Sequence, residues 1–230
     1  MRRSTSMFKL GLMAGLLFFL FQGACGLGHA EDPAQILAGL KARYGRESGI
    51  RLPYTREVIT STMALLGGQV KGDLATGMLH FKTPHFLRLE QETPKMETIV
   101  SDGDTLWWCV PDQRQVYRYP AKTFGRELSL LGDLFLGLKK VEDTFTLTLL
   151  GQNDQGHPRI ELKPDPPWEN IERIVMTVTR EKGIRRVDIH NQIGGITRFI
   201  LGDVEPVATF EAGFFRFSVP EGFQLIQEES

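Results

Sequence analysis

Apolar and polar residues alternate over short runs along most of this 230-residue chain. That is the period of a half-buried strand, in which successive side chains point to opposite faces. The densest region runs from Met78 to Trp108. It reads as three strands, broken at Thr83-Pro84 and Thr93-Pro94 and then by Asp102-Gly103, a dipeptide suited to a two-residue hairpin loop. With that loop Ser101 faces Asp104, Val100 faces Thr105, Ile99 faces Leu106 and Thr98 faces Trp107. Apolar groups then fall on both faces, so the sheet needs two covers, or one cover and a cargo. Similar alternation marks Tyr54 to Ala64, Gly72 to Lys82, with Gly67-Gly68 as the turn between them, and Gln115 to Tyr119. It returns around Phe145, Leu147 and Leu149, and in His157 to Lys163, Ile171 to Arg180, Ile184 to Asn191, Gly195 to Leu201 and Gly213 to Val219. The runs amount to about eleven strands at short spacing, which predicts a mainly β fold: one large curved antiparallel sheet forming a half-open, incomplete β-barrel.

Two stretches change period. Glu31 to Gly45 predicts an N-terminal helix: Asp32 is the cap, Pro33 suits the first position, Gln35 completes an approximate capping box, and Ile36, Leu40 and Tyr44 share a face. Between Thr123 and Lys139, Leu128, Leu131, Leu134, Phe135 and Leu138 follow helical spacing. Gly132 and Gly137 interrupt that second helix, each weakening it by about 1 kcal/mol. A greasy, weakly propagating helix inside a β chain is read as either a completed core or a lid.

The N-terminus carries Arg2, Arg3 and Lys9, then an apolar run from Leu10 to Phe21 and a small-x-small site at Gly28-His29-Ala30. This is the layout of a cleavable export signal, residues 1–30, and leaves 31–230 as one domain. The run is shorter than the roughly 20 residues a spanning helix requires. Cys25 follows Gly23-Ala24 as a lipidated cysteine would, but Gln22 stands where such a signal places a Leu-like residue. Loss of residues 1–30 removes three of the 27 basic residues and none of the 28 acidic ones, a net charge of −4. That balance disfavours nucleic acid as a partner. Cys109 is then the sole cysteine, a small buried hydrophobe with nothing to pair with.

Catalytic and metal-binding patterns are missing. His80, His85, His157 and His190 have no helical i, i+4 pair and no cysteine partners, and no nucleophile elbow or phosphate-binding glycine loop occurs. Asp102 and Asp104 are explained by turn chemistry. No cofactor, metal or enzymatic activity is expected.

The run Val100-Ser101-Asp102-Gly103 with Thr105-Leu106-Trp107 resembles the signature of the periplasmic outer-membrane lipoprotein carriers, the LolA-like family. The closing segments NQIGGITRFIL and GFFRFSVPEGFQLI are similar to that family's last strands and tail, and the likeness covers most of residues 33–226. It implies a periplasmic, monomeric chaperone that holds the acyl chains of lipoproteins and shuttles them from the inner to the outer membrane. Its partners would be an inner-membrane ATP-driven lipoprotein release complex and an outer-membrane lipoprotein acceptor. The lipid-contacting residues implied are Phe81, Leu87, Leu89, Val100, Trp107, Phe145, Leu147 and Leu149, with Leu87 and Leu89 at the cavity mouth. Leu128, Leu131, Leu134, Phe135 and Leu138 would form the lid. Thr83 stands where family members often carry a lid-latching arginine, which leaves Arg88 as the latch candidate. An anchored lipoprotein acceptor, an envelope sensor of the same fold, and a hydrolase using the cavity remain alternatives.

Overall fold

The computed structural model describes residues 32–65, 72–121, 126–136 and 141–227. The export-signal reading of residues 1–30, Cys25, the Gly67-Gly68 turn, and Leu138 lie outside the described residues. Helix α1 spans Pro33–Tyr44, and its start is built as expected: the Asp32 carboxylate accepts from the Ala34 amide at 3.0 Å. Gln35 contributes its backbone amide, which donates to the Asp32 carbonyl at 2.9 Å. Gly45 closes the helix, its amide donating to the Lys41 carbonyl.

The strands follow as β1 (Gly49–Ile59), β2 (Asp73–Lys82), β3 (Phe86–Thr93), β4 (Glu97–Ser101), β5 (Thr105–Val110) and β6 (Gln115–Pro120). After helices α2 (Ser61–Leu65), α3 (Arg126–Leu136) and α4 (Val141–Thr144), the second half contributes β7 (Phe145–Gln152), β8 (Pro158–Pro164), β9 (Ile171–Val178), β10 (Ile184–Asn191) and β11 (Ile196–Leu201). Two short pieces, β12 (Glu205–Pro206) and β13 (Gln224–Gln227), complete the set. Among the described residues they form one sheet in the order β13-β6-β5-β4-β3-β2-β1-β11-β10-β9-β8-β7, with β12 alongside β1. The two edge strands, β13 and β7, are not paired with each other, so the sheet is half-open. Every pairing is antiparallel except β13 with β6.

Four expectations need correcting. The run Tyr54 to Ala64 is not one strand: β1 starts earlier, at Gly49, and the chain turns into α2 at Ser61. At the Asp102-Gly103 hairpin the register is displaced by two residues, so that Ser101 pairs with Leu106, Val100 with Trp107 and Thr98 with Cys109. The reason is the Asp102 side chain, which accepts from the amides of Asp104 and Thr105 at 3.0 and 2.8 Å and widens the loop. A two-residue shift leaves every side chain on its expected face. Gly213 to Val219 is not a strand, because Phe214 and Phe215 both turn toward the same aromatic cluster, which neighbouring strand residues cannot do. Finally, β13 adds a parallel edge strand that the four residues Gln224 to Gln227 were too short to announce.

Helices α1 and α3 lie on one face of the sheet, called the inner face below. The core between them is built from alternate residues of the strands, among them Leu52, Leu79, Phe81, Ile174, Val187 and Phe199. On the outer face Asp188 accepts from both Arg186 and Arg198, at 2.8 and 3.0 Å, and Arg198 also donates to Glu57 at 2.8 Å. This chain of charges ties β10, β11 and β1 together where the backbone register already pairs Asp188 with Arg198 and Arg198 with Glu57.

Over β2, β3 and β5 the outer face is covered by the C-terminal segment. Phe210, Phe214 and Phe215 pack on one another with ring centroids 4.9–5.1 Å apart. The Phe214 ring meets His80 at 5.0 Å, and Phe217 stacks on Trp107 at 5.8 Å. Burial lowers the proton affinity of His80, against the pull of Glu90 at 3.2 Å. Burial and neighbouring Arg173 do the same at His190. As pH falls through the ordinary histidine range, near 6.5, the unfolded chain takes up protons that these folded histidines resist, so stability falls. The urea midpoint is therefore expected to drop between about pH 7.5 and 5.5, and to drop less in His80→Gln. A midpoint that stays level in the wild type would contradict the neutral state in which the fold holds these two rings.

Candidate functional site

The inner face carries the strongest convergence of the residues singled out from the sequence. Its α3 side is wholly apolar where described: Leu131, Leu134 and Phe135 are 0% exposed, and Leu128 and Leu130 are also buried. Spacing of three and four residues places them along one stripe of the helix. The Phe135 ring stacks on Phe81 at 6.0 Å and meets Tyr44 of α1 edge-on at 5.3 Å. Gly132, expected only to weaken the helix, has a packing reason: a Cβ there would lie 3.1 Å from the Phe81 ring. The glycine lets the helix approach the sheet closely.

Opposite α3 stand Phe81, Leu87 and Leu89, on β2 and β3, all buried in the same core cluster. Leu87 and Leu89 are thus covered rather than set at an open mouth. Farther along the face, Phe145 is buried against Trp168, with ring centroids 5.2 Å apart, while Leu147 and Leu149 are half-buried and pack on the same cluster. The inner face therefore gathers six of the eight predicted lipid-contacting residues and, among the described ones, four of the predicted lid residues. It also holds Leu52, Leu79 and Leu130, which sequence reasoning did not single out. Their signal was present as alternation in β1 and β2 and as helical spacing in α3.

Three residues sit elsewhere. Val100 and Trp107 pair with each other across β4 and β5, alternate with the inner-face residues, and face outward. Trp107 is held there between the C-terminal Phe217 and the guanidinium of Arg118, whose carbon lies 5.3 Å from the ring centroid. Arg88 also points outward: its Nε donates to Glu90 at 2.9 Å, its Nη1 donates to the Phe214 carbonyl at 3.0 Å, and it lies over the Phe214 ring. Among the described residues it fastens the C-terminal segment, on the face of the sheet away from α3, which corrects its reading as a lid latch. At the position where the latch was sought, Thr83 donates through its amide and hydroxyl to the Ser48 carbonyl at 3.0 and 3.2 Å.

Toward the far ends of β1, β3 and β4 the inner face turns polar. Tyr54 and Arg56 continue the inner row of β1 beyond Ile50 and Leu52. Arg56 donates to Gln91 at 3.3 Å, Gln91 donates to the Lys95 carbonyl at 2.9 Å, and the Trp108 indole donates to Glu97 at 2.9 Å. Burial, the largest influence, pushes the Tyr54 hydroxyl up to about 12. Cys109 is buried and its thiol is raised by that burial, in keeping with a packing role. No group of three or more His, Cys, Asp or Glu that could hold a metal occurs among the described residues.

Residues 67–218 match the family of the outer membrane lipoprotein carrier protein LolA. The chain is 28% identical over 159 residues to the outer-membrane lipoprotein carrier protein of Nitrosospira multiformis, a match covering 67% of this chain and 73% of that one. It is 26% identical over 162 residues to the protein of the same name from Pasteurella multocida, covering 65% and 69%. For that from Pseudomonas paraeruginosa the figures are 23% over 222 residues, covering 93% and 99%. The chain belongs to the LolA family of outer membrane lipoprotein carriers, and is a periplasmic protein of lipoprotein transport.

Proposed function

We propose that the inner face shelters the acyl chains of lipoproteins while they cross the aqueous space between the membranes, and that α3 occupies this face when no cargo is bound. The observation that carries the reading is the apolar stripe of Leu131, Leu134 and Phe135, fully buried against the same strands that present Phe81, Leu87 and Leu89. Residues 1–30 serve in this reading as a removable export signal, and 31–230 as one carrier domain. Loading comes from an inner-membrane ATP-driven release complex, and delivery goes to an outer-membrane acceptor.

The energetics favour a competitor. An acyl chain gains about 0.8 kcal/mol per buried methylene, so one long chain is worth more than about 10 kcal/mol and several chains would bind too tightly to be unloaded. Full burial of a leucine or phenylalanine contributes about 1.5–3 kcal/mol. Three such residues on α3 therefore offset a useful part of the cargo's binding without preventing it. Binding shifts the population from helix-covered to cargo-covered sheet, by as much as the two covers differ in affinity.

Native mass spectra of the protein released from the periplasm of a Gram-negative host should show it carrying an acylated polypeptide. A soluble chain that never holds acylated cargo would overturn this function. Replacing Leu131 and Phe135 together by Ala removes packing worth about 2–5 kcal/mol at each site. That change should slow transfer of a bound lipopeptide to acceptor vesicles by at least about tenfold, the equivalent of 1.4 kcal/mol. Unchanged or faster release would make α3 an ordinary core helix.

A further inference from the structure

The inner row of β1 changes character partway along. Ile50 and Leu52 are apolar and fully buried, and Tyr54, next in the row, is only 3% exposed. Its hydroxyl has no hydrogen-bond partner among the described residues, and neither has the buried Nε of Arg56, one step farther along. Buried polar atoms are nearly always paired, so two adjacent orphans on one face need an explanation. Both are held in place. The Tyr54 ring packs on Phe199 at 6.2 Å, and the Arg56 guanidinium is fixed through Nη2 to Gln91, itself bonded to the Lys95 carbonyl.

Both orphan groups can donate a hydrogen bond: the phenol stays protonated at neutral pH, and a guanidinium has no acceptor to offer. They lie at the border where the apolar floor of Leu52, Leu79 and Leu89 gives way to the polar end of the face. A lipid whose tails cover that floor brings the first oxygen atoms of its glycerol linkage to this border. Burial is the largest influence against negative charge at the Tyr54 hydroxyl, and Glu97 and Glu92 add to it against the pull of Arg56; a neutral carbonyl accepts from these donors without bringing a charge out of water into that place.

Resting on the reading of the inner face as the acyl site, we infer that Tyr54 and Arg56 form a polar subsite that receives ester carbonyl oxygens of the cargo's diacylglyceryl group. Among the described residues these donors are unpaired, and the cargo supplies their acceptors. The subsite thus adds selectivity for acylated glycerol linkages over plain hydrocarbon, and fixes how far the lipid enters.

The test compares two probes of equal chain length: a lipopeptide whose diacylglyceryl chains are ester-linked, and its dialkyl ether analogue, which lacks the carbonyl oxygens. The wild type should bind the ester probe about five- to tenfold more tightly, the scale of one or two well-made hydrogen bonds. Tyr54→Phe keeps the ring and its contact with Phe199, and should narrow that ratio while leaving affinity for the ether probe unchanged. Arg56→Lys, which keeps the charge but loses Nε, should narrow it as well. Equal binding of the two probes by the wild type, or a ratio that survives in Tyr54→Phe, would overturn the subsite alone. Failure to bind either probe would overturn both the subsite and the acyl-site reading beneath it.

Discussion

A sheet that does not close must have its apolar faces covered by something other than itself, and nearly everything else in this protein follows from that constraint. With β7 and β13 left unpaired to each other, the inner side chains of β1, β2 and β3 would stand in water without α1 and α3. Helix α1 is a permanent cover: it is capped by Asp32, ended by Gly45, and joined to β10 by the Tyr44 hydroxyl, which accepts from the Ile184 amide at 3.3 Å. Helix α3 meets the sheet by side-chain packing at Phe81 and Phe135, through contacts that an acyl chain can imitate. Non-directional burial makes such a cover exchangeable, because hydrocarbon from a lipid satisfies the sheet as well as hydrocarbon from leucine.

The outer face solves the same problem differently. Its apolar row at Val100 and Trp107 is covered by the C-terminal segment, which is fastened by directional contacts: Arg88 to the Phe214 carbonyl, aromatic stacking on Trp107, and β13 hydrogen-bonded beside β6. One sheet thus carries a cover of fixed hydrogen bonds on one side and a cover of apolar packing on the other. The proposed exchange of cargo on the inner side rests on this difference, and the signature strands of Val100 and Trp107 lie on the other side, under the C-terminal segment.

The strands and both long helices were legible because their evidence is local: alternation, helical spacing, a cap, and prolines that end runs. Leu131, Leu134 and Phe135 could be placed on one stripe from spacing alone. Face assignment was harder, since in Met78 to Trp108 both faces are apolar and alternation cannot say which is inner. The family signature puts Val100 and Trp107 with the lipid contacts, and nothing in the alternation contradicts it, although their neighbours Ile99 and Trp108 are the ones that point inward. The Arg88 reading failed for a related reason: its partner, the Phe214 carbonyl, lies 126 residues away and belongs to a segment that looked like a strand. Tyr54 and Arg56 were invisible as a site because an unpaired donor is a property of three-dimensional surroundings and leaves no trace in spacing.

Amide hydrogen exchange measures directly whether cargo and α3 compete for one face. On loading with a triacylated lipopeptide, the amides of Arg126–Leu136 should exchange faster, as the helix leaves the sheet, while those of β2 and β3 stay protected. Exchange in α3 that is unchanged or slower in the loaded protein would contradict displacement and return the helix to the permanent core.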